Sequence, residues 1–284
     1  MTAIPMYSKT PDDISIKARN VSFSIEELLS VDWADNDPFL TALFNAMSIS
    51  FPSGEKNFID SVRPFEKQIE DKKLLSEIKG FYKQEGIHSR EHMKYNNLLC
   101  TQRGYDLGEL ESVYLKRIDE GKKNPKVTKK ILLASTVAVE HFTASFGQCF
   151  LEGQFLRGLE GPLGNLWRWH SLEELEHKAV AFDVYSQVGG SFKMRKAVMR
   201  IVMITLLIDF LKVTLKMLRH DKQLWRWRTA KSMSKFFFSK RGFVRLLMPA
   251  YKDFFREDFH PWDEDSRELL MHWQEKLDPI MSAA

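Results

Sequence analysis

The chain has 284 residues, 44% hydrophobic, 28% charged and 12% aromatic, a composition that builds its own core and excludes disordered and fibrous classes. Two cysteines, Cys100 and Cys149, cannot make a disulfide framework or a cysteine-based zinc site, and no G-x-G-x-x-G or G-x-x-x-x-G-K string is present to hold a nucleotide. The net charge of +4 is uneven: residues 193–256 carry 17 Lys or Arg against Asp209, Asp221 and Asp253, a local +14 that leaves −10 for the remainder.

In chain order, residues 1–36 are mixed and polar and are expected to form an N-terminal arm. From Asp37 onward apolar residues recur three and four apart, which predicts helices at about 38–62, 69–100, 106–120, 126–152, 163–188 and 193–219. The breaks fall at Gly104, Gly121–Pro125, Gly161-Pro162-Leu163-Gly164 and Gly189-Gly190, and Pro52 is expected to kink or interrupt the first helix. The class is all-α: a helical bundle over 37–190, followed by a basic, aromatic-rich helical extension over 191–284 packed on it. Trp225, Trp227, Phe236, Phe237, Phe238 and Phe243 lie among the basic residues, a pattern suited to an anionic membrane surface, to an acidic partner, or to a solvated face. The longest charge-free run of 193–219 is Ile201–Ile208, too short to span a bilayer. With no apolar stretch of signal length at the start, the expected location is the cytoplasm, with peripheral contact at the inner membrane face. Nucleic acid is not an expected partner.

The residues that carry chemistry are acids and histidines. Glu85-Gly-Ile-His88 and Glu174-Leu-Glu-His177 each place a carboxylate and an imidazole on one helix face, where both reach one metal ion. Each unit follows an acid on the preceding long helix, Glu55 by 30 residues and Glu140 by 34. A helix out, a turn and a helix back take about 30 residues between ligands at one level. Glu, Glu-x-x-His, Glu, Glu-x-x-His across four helices is the donor set of ferritin-like dinuclear carboxylate bundles. Its four carboxylates and two neutral imidazoles would balance two divalent cations, which makes their joint burial tolerable. A third unit, Glu257-Asp-Phe-His260, runs into Pro261 and is set aside as a decoy. His92, His170 and Glu173 lie one turn away on the same stripes and read as orienting groups, proton shuttles or additional ligands. Glu91 should face elsewhere, and His141 should make a structural hydrogen bond. Thr143, Ala144 and Gly147 leave room for a small substrate or allow close helix packing.

The strings FPSGEKNF (51–58), QEGIHSREHMKYN (84–96), VAVEHFTA (137–144) and RWHSLEELEHKAVAFDVY (168–185) resemble the bacterial family of predicted metal-dependent hydrolases. The resemblance covers most of 35–220. It implies metal binding at Glu55, Glu85, His88, Glu140, Glu174 and His177, with His92, His170 and Glu173 as neighbours.

Three functions compete. The donor set favours two irons and a dioxygen-dependent oxidation of a small or hydrophobic substrate, with electrons from an external donor. The alternative is hydrolysis by a metal-bridged hydroxide, with manganese or zinc as the other metals considered. A variant of this places one zinc on His88-Ser-Arg-Glu91-His92, an H-x-x-E-H string. The third is a non-enzymatic helical protein that binds membranes or partners. His220-Asp221 alone carries little weight for a phosphohydrolase.

Overall fold

A computed structural model describes residues 7–281 apart from 27, 157 and 158. Among these the chain is all helical: α1 (Pro38–Val62), α2 (Lys72–Arg103), α3 (Leu107–Lys123), α4 (Lys129–Leu151), α5 (Gly161–His177), α6 (Val180–Gln187), α7 (Phe192–His220), α8 (Trp227–Phe238), α9 (Phe243–Asp253) and α10 (Arg267–Met281). The starts are where short polar side chains meet free amide donors. Asp37, Asp71, Asp106, Thr128 and Ser191 each accept from the first turn of α1, α2, α3, α4 and α7, each cap contributing about 1 kcal/mol.

Two apolar clusters set the topology. One gathers Phe39–Ile49 of α1, Tyr95–Cys100 of α2, Phe142–Leu151 of α4 and Leu163–Leu175 of α5. The other gathers Phe58 and Val62 of α1, Leu74–Phe81 of α2, Leu133–Ala138 of α4 and Val180–Tyr185 of α6. Thus α1 and α5–α6 run from the first cluster to the second, while α2 and α4 run the other way. The α2–α4 connection joins parallel helices and is the one long crossover, made by α3. Every one of the four rods changes cluster at a polar level, and those levels hold Glu55, Glu85–His92, Glu140 and Glu174–His177. Helix α7 packs across α1 and α4, and α10 against α5. In the extension, Phe236 and Phe237 meet Phe39, and Trp273 donates its indole N–H to the Leu151 carbonyl.

The structure departs from the sequence pattern in three places. Helix α1 runs unbroken through Pro52. Proline has no N–H for the carbonyl four residues back, and Asn96 Nδ2 takes that place by donating to the Ser48 carbonyl at 3.0 Å. The segment expected as one helix over 163–188 is two, because regular helix is lost at Lys178 and Ala179. Apolar periodicity continues across that break and cannot report it, while Lys178 leaves the bundle to donate to the Glu264 carbonyl and Ser266 Oγ. The N-terminal segment is irregular but far from loose: Val21, Phe23, Ile25, Leu29 and Ala34 are buried in the core.

Candidate metal centre

At the polar level, donor atoms from four helices meet in one volume. Three groups each have ligand atoms within 4.8 Å of one another: Glu85, Glu140 and His177; Glu55, His88 and His170; Glu85, His88 and Glu174. Glu174 Oε1 lies 3.6 Å from His88 Nδ1, 3.4 Å from His170 Nε2 and 3.5 Å from His177 Nε2. Glu85 and Glu174 therefore stand between two half-sites, with Glu55 at one end and Glu140 at the other. All of these side chains are buried.

The centre lacks the partners that such burial demands. Both oxygens of Glu55, Glu85 and Glu140, Oε2 of Glu174, Nδ1 of His88 and Nε2 of His177 make no hydrogen bond, although buried polar atoms are paired almost everywhere in proteins. His177 Nε2 comes within 3.1 Å of Glu85 Oε1 and 3.5 Å of Glu140 Oε2 without hydrogen-bond geometry. Acceptors converging on one point without donors are what a cation would satisfy, so the residues fit a metal pair.

The reverse sides of the imidazoles fix where their lone pairs point. His177 Nδ1 donates to Gln84 Oε1 at 2.9 Å; Gln84 Nε2 donates to Glu176, and Glu176 is held by Arg19 and Gln274. His88 Nε2 donates to Glu173 at 3.1 Å, and Glu173 also pairs with Arg19. The third chain starts at Asn96, whose Oδ1 accepts from Ser48 Oγ at 2.7 Å. With its proton spent there, Ser48 Oγ accepts from His92 Nδ1, which leaves His92 Nε2 to accept from His170 Nδ1, each at 2.9 Å. His177 Nε2, His88 Nδ1 and His170 Nε2 are left facing the carboxylates, where each could give its lone pair to a cation. Such hydrogen bonds behind a ligand fix its tautomer and raise its basicity. Phe51 stacks on His170, and His170 stacks on His88 at 4.2 Å between ring centres, so the ring planes are fixed too.

Electrostatics point the same way. Burial and the neighbouring carboxylates push Glu55 and Glu140 well above the ordinary carboxylate range. Burial raises Glu85 to about 7 against the opposing pull of His177. Burial drives His88 and His92 well below the usual imidazole value, and their neighbour His170 adds to this. His177 is pushed up because Glu174 chiefly, with Glu85 and Glu140, outweighs its burial. The protein stabilises positive charge at that nitrogen. Burial works against the charge on Arg19 as well, yet Glu176 and Glu173 hold it on.

The six residues carried by the Glu and Glu-x-x-His pattern all come together. His92 and Glu173 stand behind the donor atoms, whereas His170 turns a nitrogen into the centre. The one-zinc H-x-x-E-H reading does not survive, because both nitrogens of His92 are engaged and Glu91 turns to Arg90 at 2.8 Å. Glu257 and His260 do not share a helix; Glu257 is exposed, and His260 pairs with Asp183. His141 donates to the Ala250 carbonyl, and Asp221 beside His220 serves Arg103 and Tyr105. Thr143 lines a cavity, while Gly147 is packing: a Cβ there would lie 3.2 Å from the Ser171 carbonyl oxygen. Arg19, Gln84 and Glu176 escaped the sequence reading. Gln84 and Glu176 adjoin ligands in the chain and could have been suspected, but nothing in the arm singles out Arg19.

A family model described as predicted metal-dependent hydrolase matches residues 17–265, and the chain belongs to that family. No curated protein and no solved structure matches it.

Proposed function

From that membership and the geometry of the centre, we propose that the protein is a ferritin-like, dinuclear metal-dependent enzyme whose reaction is hydrolysis. The observation that carries the metal centre is the set of unpaired carboxylate oxygens from four helices with three imidazole nitrogens aimed among them. In this reading Glu85, Glu174, Glu140 and His177 would hold metal on one side, and Glu55, His88 and His170 on the other. Bound divalent ions would supply Lewis acidity for attack of water on a carbonyl or phosphoryl group or, as iron, electrons for reducing dioxygen. The chain's own part is to hold protons on the rear nitrogens of His88, His170 and His177, to hold the carboxylates in place for a cation, and to wall off bulk water with Phe51, Phe81 and Trp169.

The reaction follows the family description; the oxidation favoured by the donor pattern has no support in the comparisons. One observation keeps oxidation as a second reading: Glu55, His170 and Glu174 open onto a largely apolar cavity, which suits a substrate with no hydrolysable group and would need an external electron donor. Metal analysis of protein purified without oxygen tests both. Two zinc or manganese ions with ester or phosphoester turnover support hydrolysis. Two irons and a transient visible absorption on exposure to dioxygen support oxidation. Protein that takes up no metal from any of the three ends the reading.

No described helix is long and apolar enough to cross a membrane. For the extension we propose contact with an anionic bilayer. Ile201, Ile204, Ile208, Trp225 and Trp227 are exposed in a region of net +14, and basic surfaces with exposed aromatics favour anionic headgroups. Sedimentation with phosphatidylglycerol vesicles should carry the protein down at low salt and release it at high salt; no binding at low salt refutes this.

A further inference from the structure

A cavity of about 540 Å³ lies between α1, α3, α4 and α7, within the range of small-molecule sites. Its α7 wall is the stripe Val198, Ile201, Val202, Thr205, Leu206, Asp209 and Phe210, one helix face whose ends lie about 18 Å apart at the standard rise. The α4 wall, from Ile131 to Thr143, is equally long. The space is thus a trough rather than a bowl. Its polar groups are not spread evenly. Arg117 and Glu120 of α3 and Asn124 just after it stand at the exposed rim, with Arg117 locked to Asp209 by bonds of 2.7 and 2.9 Å. Glu55, His170 and Glu174 face the inside. Glu55 falls between Ser50 and Phe58 on the α1 wall, so the metal centre opens on the flank of the trough and not at its tip.

We propose that this trough binds a single extended hydrocarbon chain of an amphiphile, its head at the Arg117–Asn124 rim and its chain running past the metal centre. This deepens the preceding reading by naming the substrate class. Length and largely apolar walls fit a chain better than a compact ring. The charged rim lies on the solvent side of the trough, and the hydroxyls of Ser50, Ser135, Thr143 and Thr205 inside it are spent on backbone carbonyls of their own helices, so a chain inside meets mostly carbon apart from the donors assigned to the metals.

The test uses the full-length protein, metal-loaded and metal-free, with dodecanoic acid as the probe, measured by equilibrium binding against octanoic acid, hexadecanoic acid and 2-naphthol. A second arm offers the same chain as lysophospholipid in vesicles, which separates a free acid from a membrane lipid as the source. One chain bound per protein, preferred over naphthol and weakened roughly tenfold or more by Val202→Trp or Ser135→Phe, with metal content unchanged in both variants, supports the assignment. Failure to bind a chain of any length from either source overturns it. So does preference for naphthol, or wild-type binding in both filled variants. Chain binding by a protein that takes up no zinc, manganese or iron under any loading condition would sink the metal-centre reading and leave the trough assignment standing.

Discussion

The two halves of the centre are built from the same residue types but secured differently. The Glu85–Glu140–His177 half is closed, and its imidazole is backed through Gln84 by Glu176 and the Arg19 guanidinium. The Glu55–His88–His170 half opens on the trough. One of its imidazoles also rests on Arg19 through Glu173, but His170 leans on an uncharged chain of His92, Ser48 and Asn96. On the proposed reading, an ion in the closed, charge-braced half would serve to hold and one beside the cavity to react, with substrate contact on the Glu55 side.

Removing what the halves share is the harshest way to break the comparison. Glu85→Ala combined with Glu174→Ala should abolish metal uptake, measured by elemental analysis; a full complement in that variant would refute the assignment of these two carboxylates to the metal centre. Next, Arg19→Ala strips the brace from both halves. It leaves Glu173 and Glu176 buried with less charge compensation, and such breaks cost about 3–5 kcal/mol. Chemical denaturation should show that loss together with about 10- to 100-fold weaker metal binding, and unchanged stability would show the arm to be dispensable. His92→Phe sharpens the contrast by cutting only the uncharged chain. Binding at the trough-side half should fall about tenfold while the other half holds, so titration should resolve two unequal steps; equal weakening of both steps would contradict the asymmetry.

The smallest effect is expected from a carboxyl that belongs to neither half. Burial raises Glu77 to about 7 from an ordinary 4.5, with Ser8 Oγ donating to it at 2.7 Å. The folded state therefore holds this proton more tightly than the unfolded chain, so folding stability falls as pH rises from about 4.5 to about 7. Glu77→Gln should remove that slope, raising Tm above pH 7 and leaving it unchanged below pH 4.5; a parallel shift at every pH would contradict the linkage.

Spacing along the chain was enough to determine the all-helical class and to single out Glu55, Glu85, His88, Glu140, Glu174 and His177 as side chains that meet in one volume. A helix maps sequence intervals directly onto faces and heights, so a ligand pattern written at three- and thirty-residue intervals can be read without coordinates. Where Pro52 sits, the same logic failed: the missing hydrogen bond is made good by Asn96 on another helix. The break after His177 was equally invisible, since it turns on where Lys178 finds carbonyl partners far along the chain. Only tertiary structure decided that His170 aims a nitrogen inward, because its tautomer is set by His92, Ser48 and Asn96 across the α1–α2 contact. The same holds for Arg19, which lies in a segment without periodicity and acquires its role by folding back over Glu173 and Glu176. Local geometry follows from chain connectivity, whereas the protonation and orientation of a buried group follow from whatever distant atoms pack against it.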